Sequence, residues 1–340
     1  MKAIKFFAIS AMATAMITSC SSEDELSQSN YPSDNIIRVT AGVNNAKTRA
    51  EGAGTPLEKP LSLTVVNKNE NATLAKKYTY VNKVFTKDDN GAWNCSETLL
   101  WQKDTQPVDI VAFAPAPNGK FNGVYAEGST QPIQSITYSV SDDQSTPSDN
   151  NDLLYYYAKD FKPGTSLVDK KLSIQFNHAF CMIDINVTLG TEFNKPEVLK
   201  ESPIVKVTLG GTKIAANVDV TNAASVVTAS EEAAATDITT TKGSFTPAEN
   251  ADKKADPEKN AISRFSCIAI PQTVAGKTFK VSLKTAGKLY EWTSDKEITL
   301  QSGYRYTLNL SMGNDVVLLK GGSISASPWT EGTGGSLETD

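Results

Sequence analysis

From Leu172 to Val187 apolar and polar residues alternate for much of the run, with Leu172, Ile174 and Phe176 on one side and Ser173, Gln175 and Asn177 on the other. A two-residue period places successive side chains on opposite faces of the backbone, so it dictates strands and excludes amphipathic helices. The same period, or a composition rich in β-branched and aromatic residues, returns at Ile37–Val43, Leu61–Val65, Lys76–Phe85, Val205–Leu209 and Lys213–Val218. It appears again at Phe265–Ile270, Thr278–Leu283, Lys288–Thr293 and Tyr304–Leu310. Asn90-Gly91 between two such runs is a hairpin signal. Pro107–Pro115 encloses a short apolar strand, and Ser139–Asn151 is a polar loop. Ala223–Asp237 has a helical composition, but the threonines and the proline-bearing charged stretch after it make the region a long loop. Many short strands with turn residues between them predict an all-β protein of antiparallel sandwiches. The 340 residues suggest two of them, at about 100 to 200 residues per domain.

The amino terminus reads differently. Lys2 and Lys5 precede an apolar run, Phe6–Ile17, too short to span a bilayer but suited to a secretory signal. It ends in Ile17-Thr18-Ser19-Cys20, which resembles a bacterial lipobox, with Cys20 as the lipidated residue and residues 1–19 as the signal peptide. Simple cleavage nearby is the alternative. Ser21-Ser22-Glu23-Asp24-Glu25 resembles the acidic export signal of some Bacteroidetes surface lipoproteins, or is a solvated acidic linker. Residues 20–35 then form a flexible tether, with a first sandwich over 36–168 and a second over 169–340. Loss of the two signal lysines takes the formal charge from −5 to −7, a balance with no pull towards nucleic acid.

Chemistry is sparse. His178 is the single histidine, so multi-histidine metal sites are excluded, and a catalytic triad would have to be built around it. It lies between Phe176 and Phe180 on an alternating strand and reads as a packed structural residue. Cys20, Cys95, Cys181 and Cys267 have no C-x-x-C spacing, and Cys181 and Cys267 sit in apolar runs as buried thiols. Thr86 to Gly91 with Glu97 partly matches a calcium loop, but Thr86 stands at the first ligand position, so a turn with solvated acids is the better reading. Asp142-Asp143 and Asp149–Asp152 are acid-rich without a site-defining spacing. Gly210-Gly211 reads as a hairpin turn. Trp93, Trp101, Trp292 and Trp329 could form a sugar platform, though each lies in or beside a strand and core packing is favoured. No cofactor and no enzymatic activity are expected.

Five groups of residues together resemble the fimbrillin or Mfa-like proteins of Bacteroidales, the subunits of type V pili. They are the lipobox at Cys20, the first strand followed by Lys47-Thr48-Arg49-Ala50, the Asp152-Leu153-Leu154-Tyr155 segment, Phe176-Asn177-His178-Ala179-Phe180, and the closing Gly303–Leu310 strand with Ile324 and Trp329 behind it. The resemblance implies two tandem transthyretin-like sandwiches carried to the outer membrane by the lipid on Cys20. It implies fimbrial assembly as well. In polymerising members an arginine-specific protease cuts near the first strand, the strand leaves, and an extended segment of another subunit takes its place. Arg49, followed by Ala50, is the matching position here, with Arg38 second. A cut after Arg49 would release Ile36–Val43 and its apolar row of Ile37, Val39, Ala41 and Val43. Val316–Ser325 would be either a donor segment or the last strand. The implied partners are other pilus subunits, the protease, the outer membrane and a surface ligand for adhesion. A carbohydrate-binding surface lipoprotein of a glycan-utilisation system is the second reading, and a secreted hydrolase a distant third.

Overall fold

The structure is a computed structural model, and it describes residues 30–44, 55–116, 136–148, 151–194, 197–219, 226–249, 259–319 and 324–329. Cys20, Arg49 and Ala50 lie outside the described residues.

The chain is all-β, as the alternation predicts. Its first strands are β1 (Val39–Val43), β2 (Thr55–Pro56), β3 (Leu61–Asn67), β4 (Tyr80–Lys87), β5 (Trp93–Cys95) and β6 (Val108–Ala114). After β7 (Ile136–Ser139) come β8 (Leu154–Phe161) and β9 (Leu172–His178). All of these except β7 form one eight-stranded sheet in the order β2-β1-β9-β8-β6-β3-β4-β5. The Asn90-Gly91 hairpin is present, with Lys87 opposite Trp93 and Gly91 at φ +81°, a conformation glycine adopts without strain. A short helix, α1 (Ala72–Lys77), replaces the start of the strand expected from Lys76, because the Asn71 side chain accepts from the Thr73 and Leu74 amides and caps it.

The remaining strands are β10 (Cys181–Leu189), β11 (Ile204–Gly210), β12 (Ala215–Asp219), β13 (Val226–Ala229), β14 (Ile238–Thr239), β15 (Thr241–Thr246) and β16 (Ile262–Ala269). They continue with β17 (Thr273–Val274), β18 (Lys280–Thr285), β19 (Leu289–Thr293), β20 (Ile298–Thr299), β21 (Tyr304–Met312), β22 (Val317–Leu319) and β23 (Ser325–Pro328). One sheet runs β15-β16-β10-β21-β22, with β23 also on β21, and a second runs β14-β11-β18-β19. Their inner faces share a core in which Ile183, Ile185, Val187, Leu209, Val281, Leu283, Leu308 and Leu310 are fully buried. Each large aliphatic residue buried in this way stabilises the fold by about 1.5–3 kcal/mol. An aspartate at Ile185, in the middle of the central strand, would break that layer.

β9, which starts just past the expected 168/169 boundary, pairs with β1 and β8 in the eight-stranded sheet. Alternation tells which residues face a core, and it is silent on which core. Two expectations need correcting. Gly210-Gly211 is a corner between sheets, not a hairpin, since β11 pairs with β14 and β18 while β12 pairs with β13 and β7. A Cβ at Gly211 would stand 2.1 Å from the Thr278 carbonyl oxygen, so the corner needs both the glycine's φ of +86° and its missing side chain. The region read as a long loop contains β13, whose Val226-Val227-Thr228 run supplies the β-branched residues a strand favours.

β7 leaves the first half of the chain to pair with β12, Tyr138 lying opposite Ala216. Val66, Val111, Phe113 and Tyr155, on one face of the first sheet, belong to the same buried cluster as Tyr138, Val140 and Val218, which lie in or beside the small sheet β13-β12-β7. The opposite face of the same strands buries Leu61, Leu63, Ile110, Ala112 and Leu154 in a separate cluster. β3 and β6 are therefore buried on both sides, which is why Val108–Ala114 reads as one continuous apolar run.

Candidate strand-release site

β1 is built unlike its neighbours. Its pairing with β9 is parallel, from Val39 opposite Leu172 to Val43 opposite Phe176, whereas the sheet is otherwise antiparallel. The Leu172 amide donates to the Arg38 carbonyl and the Asn44 amide to that of Phe176, both at 2.8 Å, and the Asn44 side-chain amide donates to Asn177 Oδ1, also at 2.8 Å. Just before β1, the Ile37 amide donates to Leu99 and the Trp101 amide to Asn35, again at 2.8 Å. One ten-residue segment, 35–44, thus ties the chain that follows β5 to β9 and draws the two ends of the sheet together.

The inward side of this segment is apolar. Ile37, Val39 and Val43 are 4%, 5% and 4% exposed, and Ala41 packs partly buried on the same cluster. They cover Leu172, Ile174 and Phe176 of β9, all fully buried. The other backbone edge of β1 is nearly open, since β2 pairs only with Gly42 and Val43. A cavity of about 730 Å³ is lined by Arg38–Gly42 together with Ser173 and Gln175 of β9 and by Gly91–Asn94. A strand held along one edge, with few residues on its second, is the one whose departure breaks the fewest ladders.

Arg38 sits within this run. Its exposed guanidinium grips Asp34 through Nη1 at 2.9 Å and Nη2 at 2.6 Å, and that contact holds the Asp34 carboxyl well below the usual carboxylate range. Its backbone is locked in the sheet through Leu172 and its neighbours Ile37 and Val39 are buried, so a protease would have to strip the strand before reaching it. Arg49 and Ala50 fall in the sequence between Asn44 and Thr55, the connection from β1 to β2.

The other sequence candidates resolve as structural parts. His178 is buried, its Nδ1 lies 3.0 Å from Asp152 Oδ1, and its ring stacks on Trp329 with centroids 3.8 Å apart and planes within 10°. A carboxylate only accepts, so Nδ1 carries the proton. Lys59 completes the group by donating to the Asp152 carbonyl at 3.4 Å. Sequence reasoning singled out Asp152, His178 and Trp329 separately and missed that they meet, because nothing local links positions so far apart.

Trp101 is buried against Phe161 and Trp329 against His178, while Trp93 and Trp292 are half-buried, so no platform of four is formed. In the calcium-like loop Asp88 Oδ1 accepts from the Asn90 and Ala92 amides, an Asx turn that uses the carboxylate internally and lowers its pKa. Among the described residues no group of three or more His, Cys, Asp or Glu side chains could hold a metal ion. Cys181 and Cys267 are buried on neighbouring strands, and burial pushes both thiols up. The link from Asn35–Ile37 to Leu99–Trp101 was also missed, and the apolar Leu99-Leu100-Trp101 triplet was its only local sign.

Comparison with known proteins points one way. A fimbrial protein of Bacteroides vulgatus is 15% identical over 87% of this chain and 99% of its own, with a TM-score of 0.53. Two candidate cell adhesion proteins, from Bacteroides ovatus and Bacteroides uniformis, give 17% and 16% identity and TM-scores of 0.59 and 0.53. Each covers 88% of this chain, and 99% and 100% of its own length respectively. At such identities the likeness shows a shared fold. No curated protein matches the chain. The family model described as fimbrillin-like matches residues 48–329, most of the sequence. The chain is a member of the fimbrillin-like family.

Proposed function

We propose that the protein is a structural subunit of a surface fimbria, anchored first by a lipid on Cys20 at the outer membrane and assembled by exchange of β1. A cut after Arg49 would leave a body beginning at Ala50 and free the segment that carries Ile37, Val39, Ala41 and Val43. The body would then hold an apolar row of Leu172, Ile174 and Phe176 beside an unpaired edge of β9, a state costly in water. An extended segment from another subunit supplies both the missing hydrogen bonds and the missing apolar side chains. The partners are therefore further subunits, an arginine-specific protease and a surface ligand for adhesion.

The observation that carries this reading is the seating of β1: one parallel ladder, a nearly open second edge, and apolar residues directed into one cluster. Arg38 is the weaker cleavage position, because its backbone is part of that ladder. The test is to expose the folded precursor to an arginine-specific protease and sequence the new amino terminus. A body beginning at Ala50 supports the proposal. A chain that stays intact on long exposure, or is cut only in other loops, overturns it.

A further inference from the structure

The sheet β15-β16-β10-β21 has an outer face as well as the inner one on the core, and that face is built. Its flanking strands β15 and β23 rim a cavity of about 520 Å³ whose floor is made by outward side chains of the three strands between them. The register sets these side chains in rows. Asn186 lies opposite Arg264 on one neighbour and Asn309 on the other, and Asp184 lies opposite Thr307. Asn186 Nδ2 donates to Asn309 Oδ1 at 3.0 Å, which orients both amides. Arg305 donates to Asp184 through Nε and, at 3.1 Å, through Nη2. That contact neutralises it and leaves its Nη1 without a hydrogen-bond partner among the described residues. Arg264 has no carboxylate partner among the described residues and is steadied only by hydroxyls, those of Thr246 at 2.7 Å and Ser244 at 3.5 Å.

The trough thus holds two guanidiniums against one carboxylate, in a chain of formal charge −5. A positive concavity on an acidic protein concentrates anions locally. Its size falls within the range of small-ligand sites, about 300–1,000 Å³. The β16, β10 and β21 backbones of the floor are paired with one another, so they offer a peptide no edge to join. What they offer is a planar fork for a carboxylate and fixed amides and hydroxyls that both donate and accept. That set matches the hydroxyls of a sugar ring carrying an acid group.

We infer that this trough is a binding site for a carboxylated saccharide, with Arg264 taking the carboxylate and Asn186, Asn309 and Thr307 taking ring hydroxyls. The site is formed by β10, β15, β16, β21 and β23 alone, so it does not depend on release of β1.

The test is an array of uronate- and sialate-bearing oligosaccharides, their neutral counterparts and a polyglutamate peptide, probed with residues 21–340. Wild-type protein is expected to retain acidic saccharides at least tenfold better than neutral ones. Arg264→Gln and Asn309→Ala should each lower that binding at least tenfold with the melting temperature unchanged, and Arg264→Lys should fall between. Absence of acidic saccharide binding, binding by both variants equal to that of the wild type, or polyglutamate held as tightly as the sugars would overturn the inference. Binding that persists in a variant that resists the arginine-specific protease separates this site from the assembly reading.

Discussion

Consider a chain that begins at Ala50, so that β1 and the segment before it are missing. Ile37, Val39 and Val43 are each buried to within 5% of complete in the intact protein. At about 1.5–3 kcal/mol per side chain, their loss removes about 5–9 kcal/mol from the first core. β9 would keep pairing only at Asn177 and His178, where it meets β8. A domain is typically stable by about 5–15 kcal/mol, so the loss is of the same order as the whole. Taking the lower figure, and about 2–4 °C per kcal/mol for a domain of this size, the first core should melt about 10–20 °C lower. At the upper figure it does not fold unaided, and only the second core melts cooperatively. A synthetic peptide of residues 35–44 should reverse the effect in trans, and at a hundred times its Kd linkage supplies about 2.7 kcal/mol. Calorimetry of the long chain, the short chain, and the short chain with peptide reads all three quantities. A short chain that melts within about 3 °C of the long one would refute the reasoning, since it would mean less than about 1.5 kcal/mol rests on the strand. Equal rescue by a peptide carrying Val39→Asp would refute it too.

Trp329→Ala should cost about 3–5 kcal/mol, because it empties a buried site and unstacks His178, and a denaturant titration would register it. Gly211→Ala forces a Cβ against the Thr278 carbonyl at positive φ and should destabilise by about 1–3 kcal/mol, with Gly91→Ala, which meets only the end of Lys87, doing less in the same melts. Tyr31, Tyr138 and Tyr306 are each pushed up to about 12 from the usual 10.0, with burial the largest cause. The folded chain keeps those protons longer than the unfolded one, so the stability they contribute is complete below pH 10 and is lost as pH rises towards 12. Phenolate absorbance should therefore appear in two phases, the later one coinciding with unfolding, and a single phase near pH 10 would contradict this.

Much of the architecture could be read from the chain because strand periodicity is local. Leu172–His178, Cys181–Leu189 and Tyr304–Leu310 announce themselves by alternation, and Asn90-Gly91 by its turn chemistry. Partnership is not local. The period of β9 is the same whichever sheet it joins, and Ile136–Ser139 pairs with a strand some 80 residues on, Thr137 with Asn217, with nothing in either to say so. Short elements set by one side chain, such as the helix capped by Asn71, vanish inside a window rich in Tyr, Val and Thr. At the candidate release site the apolar row of Ile37, Val39, Ala41 and Val43 was legible, since it is a pattern within one strand. The parallel ladder on β9 and the link to Leu99–Trp101 were not, since they are relations between strands.

The parallel pairing of β1 also bears on the order in which the sheet is completed. Asn44 meets Asn177 across 133 residues, whereas β3, β4 and β5 find one another within a few tens of positions. Closing so long a loop is entropically slower than closing short ones, and β9 must itself be laid down beforehand. The strand that is synthesised first is therefore seated last. What joins last adds to strands already paired, so the proposed release of β1 would retrace the last folding step in the opposite direction. In pulsed hydrogen exchange during refolding, the amides of Val39–Val43 should gain protection after those of Val108–Ala114, and protection in the reverse order would sever that link.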